Sequence, residues 1–287
     1  MDHLIPAFED AAGRSGAVTF VGSATTDPSG SERVPWAEML DDARAYAAAL
    51  GAHGIGPGSH VSLLGPTTRE LVTAIEAVWV AGATAVVLPL PMRLGSVEEF
   101  VDQTRTRIRN ADSSCVIADP TLAEFLDPRP GDAPVLMLDA LRREAAALGP
   151  SAYERPPLDP EALAILQFTS GSTADPKGVM LPHRCVVANQ NAIAQAVEVD
   201  HDTDCTVSWL PLYHDMGLIG ALGIPMATGI DLVLAAPQDF LAAPADWMRW
   251  VSDYRERSPP DPTSRTPSRR GHSAASTGST SPRGAWR

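Results

Sequence analysis

His60-Val-Ser-Leu-Leu-Gly-Pro-Thr-Thr-Arg-Glu-Leu-Val-Thr-Ala-Ile-Glu-Ala-Val-Trp-Val-Ala-Gly-Ala-Thr-Ala-Val-Val-Leu-Pro-Leu90 decides the fold class. His60 to Leu64 is a short apolar run closed by Gly65-Pro66 and reads as a strand. Residues 68–81 place Leu71, Ile75, Val78 and Trp79 on one helical face. Ala85 to Leu90 is a second buried strand, stopped by Pro91. A strand, a helix of ten to fifteen residues and a strand form a βαβ unit, whose strands lie parallel.

The same alternation extends outward. Residues 36–50 put Trp36, Leu40, Ala43, Ala47 and Leu50 on one face. Ser96 to Asn110 is a polar helix expected to turn Val97, Phe100, Val101 and Ile108 inward, and Val116–Ala118 and Val135–Leu138 are further strands. A proline-rich connector runs from Glu154 to Pro160. Beyond it lie strands at Leu163–Phe168 and Val179–Leu181, then a helix over 183–197 with Pro182 suited to its first turn. A strand at Val207–Leu210, an apolar helix near Leu218–Met226, a strand at Asp231–Ala235 and a helical face of Trp247, Trp250 and Val251 complete the pattern. No internal repeat is visible. The expected fold is α/β, with mainly parallel sheets and flanking helices, divided into 1–153 and 161–254.

With 44% hydrophobic residues in 287, the chain can bury one large core or two small ones. It contains no run of eighteen apolar residues, so no membrane span is expected. Its N-terminus shows no signal-peptide pattern. Cys115, Cys185 and Cys205 lack C-x-x-C spacing and read as packed, reduced thiols. A net charge of −13 argues against a nucleic-acid partner and suits a cytoplasmic protein. His183, His201 and His214 have no metal-ligand spacing, so no metal is assigned to side chains of this chain.

Two compositional features carry more weight. Lys177 is the only lysine, in a sequence whose other basic side chains, histidines apart, are arginines. From Arg255 onward there is no Leu, Ile, Val, Met or Phe; seven Arg against Glu256 and Asp261 give residues 255–287 a charge of +5, leaving −18 on the body. Such a segment cannot bury enough apolar area to offset its ordering entropy and is expected to be disordered.

The lone lysine lies in Thr169-Ser-Gly-Ser-Thr-Ala-Asp-Pro-Lys-Gly178, between two strands. Hydroxyls and backbone N–H groups donate to phosphate oxygens, and glycine lets the backbone approach them closely. The ammonium adds a point charge worth roughly 4 kcal/mol at ~4 Å near a protein surface. The string is not a Walker loop, in which Gly-Lys precedes a helix. Ser-Gly-Ser-Thr alone would suit a flexible hairpin loop, but the ten-residue string is far more specific.

That string resembles the phosphate-binding signature of the adenylate-forming (AMP-binding) superfamily. The resemblance runs from about Pro35 to Tyr254, through Val34-Pro-Trp-Ala-Glu-Met-Leu40 and Trp79 to Pro91. Pro91-Met-Arg-Leu-Gly-Ser-Val-Glu-Glu-Phe100 and Ser208-Trp-Leu-Pro-Leu-Tyr-His-Asp-Met-Gly-Leu218 are closest to its fatty-acyl-AMP ligase branch. The resemblance implies ATP contacts from Thr169, Ser170, Gly171, Ser172, Thr173, Lys177 and Gly178. It also implies that His214 is catalytic, lying by the acyl carboxylate and ATP, and that Asp215, Met216 and Gly217 contact substrate. An imidazole can donate to a carboxylate without the desolvation cost of a permanent cation. The His214 loop is expected beside the phosphate loop because neighbouring strands bring their carboxyl-end loops together.

By resemblance, the activity is formation of acyl-AMP from a fatty acid and ATP with Mg²⁺, then transfer to an acyl carrier protein or polyketide synthase thiol. A long-chain acyl-CoA ligase, with coenzyme A as acceptor, and a non-catalytic nucleotide- or acyl-binding remnant are the alternatives. The family's magnesium-binding Glu, its ribose-binding Asp and its second catalytic Lys do not occur here. Losing one preorganised charge-stabilising group costs on the order of 100- to 1,000-fold, so little turnover is expected from these residues alone. GC-rich codons for Ser258 to Arg270, shifted by two bases, permit Ala-Gly-Pro-Asn-Phe-Ala-Tyr, which resembles the segment that follows in fatty-acyl-AMP ligases. Residues 255–287 are therefore expected to be an out-of-frame tail.

Overall fold

The computed structural model describes residues 2–22, 30–91, 96–126, 129–169 and 177–255. Of the segments singled out above, Met92–Gly95, Ser170–Pro176 and residues 256–287 lie outside it, and with them the disorder expected of the tail. In chain order the elements are α1 (Leu4–Ala12), β1 (Ala17–Phe20), β2 (Glu32–Pro35), α2 (Trp36–Ala52), β3 (His60–Leu64), α3 (Arg69–Val80) and β4 (Thr84–Val87). Then come α4 (Val97–Asn110), β5 (Cys115–Ala118), α5 (Pro120–Ala123), β6 (Val135–Met137), α6 (Leu138–Leu148), β7 (Leu163–Phe168), β8 (Gly178–Pro182) and α7 (His183–Ala196). The last are β9 (Cys205–Ser208), a π-helix (Met216–Gly223), α8 (Ile224–Thr228), β10 (Asp231–Leu234), α9 (Pro237–Ala242) and α10 (Ala245–Arg255).

Two sheets form. The first runs β6-β5-β3-β4-β7-β8 and is parallel except for the β7–β8 pair. The second runs β2-β1-β10-β9, with β2 antiparallel to β1 and the other pairs parallel. The α/β class expected from residues 60–90 is what forms. The proline-rich connector at 154–160 is not a seam between the sheets: β7 and β8, beyond it, join β3 to β6, while β9 and β10 join β1 and β2.

Strand alternation sorts side chains between two cores. Val61, Leu63, Ala85, Cys115 and Ile117 face a large core shared with α1, α2, α3 and α6. Leu64, Val86, Val116 and Ala118 face a smaller one with Ile108 of α4. The large core also takes Val18, Leu232 and Leu234 from the second sheet, so one helical layer joins both sheets. Phe8 and Trp79 meet in it with ring centroids 5.8 Å apart; burying a Phe-sized side chain contributes roughly 1.5–3 kcal/mol. Two indoles lock the layers: Trp79 Nε1 donates to Ala164 O of β7 at 2.9 Å, and Trp36 Nε1 to Ile230 O at 2.8 Å.

Local chemistry sets the boundaries. Thr68 caps α3 by accepting from Leu71 N, and Ser96 caps α4 by accepting from Glu99 N. Four expectations change. Val97 is 43% exposed, while Phe100 packs partly buried on the smaller core and Ile108 is buried there beside Thr104 and Arg105. The reason is polar: Arg105 donates to Leu126 O at 2.8 Å and to Asp132 at 2.5 Å, which draws that face inward. β4 ends at Val87, short of Pro89, which has no N–H for a ladder. Pro182 closes β8 and precedes α7 instead of lying in its first turn. β9 covers 205–208 rather than 207–210, because the Ser208 hydroxyl accepts from Leu210 N and turns the chain. No helix among the described residues is long and apolar enough to cross a membrane.

Candidate active site

β7 and β8 are the arms of a hairpin, with Phe168 opposite Gly178 and Gln167 opposite Val179. The ladder continues one step past the strands: Thr169 N donates to Lys177 O at 3.0 Å, and the Thr169 hydroxyl reaches the same carbonyl at 3.4 Å. The phosphate-type string therefore springs from a closed base, with Thr169 and Lys177 face to face. Lys177 and Gly178 are exposed. No carboxylate among the described residues pairs with Lys177. Ser170, Gly171, Ser172 and Thr173 lie outside the described residues. An ammonium exposed at the base is a donor that suits a polyphosphate.

His214 follows β9, in the other sheet. Its backbone is fixed on both sides: His214 N donates to Pro211 O at 3.2 Å, and Leu218 N donates to His214 O at 2.8 Å. The ring is exposed and lies 4.7 Å from the Tyr213 ring. Burial pushes the Tyr213 hydroxyl above its ordinary range, so it stays protonated near neutrality. Asp215 is exposed and caps the π-helix, accepting from Met216 N at 2.8 Å. Met216 is exposed at the head of that helix. Gly217 is buried, and a Cβ there would stand 2.1 Å from Pro211 O. Glycine there is explained by a close backbone approach.

The structure brings the His214 segment to the hairpin by a route other than the expected one. β9 and β7 are not neighbours; they belong to different sheets. The link is a side chain: Gln167 Nε2, two residues before Thr169, donates to Tyr213 O at 3.1 Å. Sequence reasoning misses Gln167 and Tyr213. The available signal was an amide alone among apolar residues in Leu163–Phe168. No group of three or more His, Cys, Asp or Glu that could hold a metal occurs among the described residues.

Comparison with known proteins bears on this geometry. The model of a family described as "AMP-binding enzyme" matches residues 8–257. A Mycobacterium tuberculosis protein named as a ligase is 32% identical over 82% of this chain and 42% of its own length. A Mycobacterium marinum protein named long-chain-fatty-acid–AMP ligase FadD26 is 33% identical, covering 79% of this chain and 39% of its own. Among solved structures, a fatty acyl-adenylate ligase from L. pneumophila, in complex with acyl adenylate and pyrophosphate, superposes with a TM-score of 0.77 at 27% identity. It covers 89% of this chain and 43% of that one. The chain spans about two fifths of the length of the curated relatives it matches.

Proposed function

Because this chain belongs to the AMP-binding enzyme family, we propose that it supplies the ATP-phosphate and acyl-carboxylate parts of a site that activates a fatty acid as acyl-AMP. The observation that carries this reading is the Gln167–Tyr213 bond, which ties the base of the phosphate hairpin to the turn bearing His214. The naming of relatives as fatty-acid–AMP ligases and the acyl adenylate held by the Legionella enzyme support it. ATP supplies the adenylyl group, and Lys177 with the hydroxyls of Thr169, Ser170, Ser172 and Thr173 would hold its phosphates. The ammonium lowers the cost of bringing a carboxylate toward a polyphosphate. His214 would donate to the carboxylate and orient it. The described residues give no ligand set for Mg²⁺, and no step is assigned to it.

We place the acceptor with a carrier-protein thiol, in line with the fatty-acid–AMP relatives, and propose an AMP-binding region over 1–254 with residues 255–287 outside it. Lys177 is the only lysine in these 287 residues. They are therefore expected to bind ATP without efficient turnover, since no second lysine can meet charge developing at the α-phosphate. The test is ATP binding by calorimetry. Saturable binding is expected, with Kd raised about 10-fold or more in Lys177→Ala at unchanged Tm. Absence of binding, or equal affinity in the variant, would refute the assignment.

A further inference from the structure

The segment from Tyr213 to Gly223 is met at both ends by glutamines, one bonded to it from β7 and one packed on it from α7, the helix after the β7–β8 hairpin. At its start is the Gln167–Tyr213 bond just described. At its end is Gln190 of α7, the helix that follows the hairpin. Gln190 is 3% exposed, and its amide lies so close to Gly223 that a Cβ there would stand 2.4 Å from Nε2 and 3.1 Å from Leu218 O. Between the two contacts runs the π-helix. Turns of this kind are rare, appear at functional sites and persist where their surroundings over-determine them.

Gln190 is an expensive way to pack a helix. Its Oε1 is buried with no partner among the described residues, and an unpaired buried acceptor is destabilising. A leucine would fill similar space without that cost. The choice of glutamine is explained if its amide serves the π-helix it packs on. Slipping a helix by one residue turns it by about 100°, which would re-aim Met216 at its head and pull on the His214 turn that leads into it.

We infer that Gln167 and Gln190 are positioning residues that clamp the π-helix at both ends and so hold His214 in register with the phosphate loop. The purpose given to the clamp rests on the reading of His214 as a site residue; the clamp itself can be tested without it. Gln167→Leu and Gln190→Leu each keep size and remove the amide. Hydrogen exchange of the whole chain should show amides 214–222 exchanging about 10-fold faster in Gln167→Leu, the usual net contribution of one hydrogen bond, and faster than wild type in Gln190→Leu, where the branched side chain no longer fits against Gly223. Amides of β3 and β5 should be unchanged. A non-hydrolysable acyl-adenylate mimic, an acyl sulfamate ester of adenosine, should bind about 10-fold more weakly. ATP affinity should hold within about 2-fold. Unchanged exchange at 214–222 in both variants would overturn the inference, as would acceleration spread evenly over both sheets. If the mimic fails to bind the wild type, the functional reading falls, while the exchange result still decides the clamp.

Discussion

Glu76 sits on α3 in the layer between the sheets, 1% exposed, with Oε2 lacking a partner among the described residues. Burial, helped by Asp42 and opposed by Arg44, raises its carboxyl from the ordinary 4.5 to about 8. The folded protein therefore binds this proton more tightly than the unfolded chain. The associated stability is fully present below pH 4.5 and is lost as pH rises to about 8. At 1.36 kcal/mol per unit, holding the acid neutral at pH 7 costs roughly 3 kcal/mol, rising to about 5 kcal/mol above pH 8. Glu76→Gln has nearly the same shape and never ionises. It should match the wild type near pH 4.5 and exceed it by up to ~3 kcal/mol at pH 7. Urea unfolding at pH 4.5, 7 and 8.5 measures this, with the m-value expected to stay constant. A stability difference independent of pH, or a variant weaker than the wild type at pH 8.5, would refute the reasoning.

Two further outcomes follow from particular contacts. His183 stacks on His3 at 3.6 Å with both ring nitrogens buried and unpartnered among the described residues, and burial, then His3, push it down to about 3. Its folded value lies below the unfolded 6.5, so this stability is present above 6.5 and lost as pH falls toward 3; His183→Phe should flatten the decline in Tm between pH 7 and 4 in calorimetry. Gly217→Ala would drive a Cβ into the Pro211 carbonyl, and a loss of about 1–3 kcal/mol in urea unfolding is expected, with faster exchange at the His214 amide.

The residues 60–90 are legible because each strand alternates between two cores and α3 shows a full helical period. The first helix is missed although Leu4, Ile5, Phe8 and Ala11 share a face, since its pattern covers barely two turns. α6 is missed because its apolar face is three residues, Leu138, Leu141 and Ala145, amid charged ones. Sheet membership is beyond local pattern altogether: nothing near Val18 announces Leu232 as its partner. Lys177 and His214, the residues proposed for the site, stand out by the chemistry of their surroundings in sequence. Gln167 and Gln190 do not, because a lone glutamine in a strand or helix has no signature until another element arrives beside it.

The second sheet has a consequence for how the protein is made. β1 takes one neighbour from β2 and the other from β10, and the bond from Ala17 N to Asp231 spans 214 residues. At a synthesis rate of roughly 5–20 residues per second, β10 reaches the solvent about 10–40 s after β1. Throughout that interval the β1–β2 ribbon waits with one side of its backbone unpaired, which is the condition that invites association between nascent chains. The six-stranded sheet, whose first three strands fall within residues 60–118, can assemble while the ribbon waits. Chaperone demand in this protein should therefore concentrate on the N-terminal 35 residues, until the strand that completes them has been synthesised.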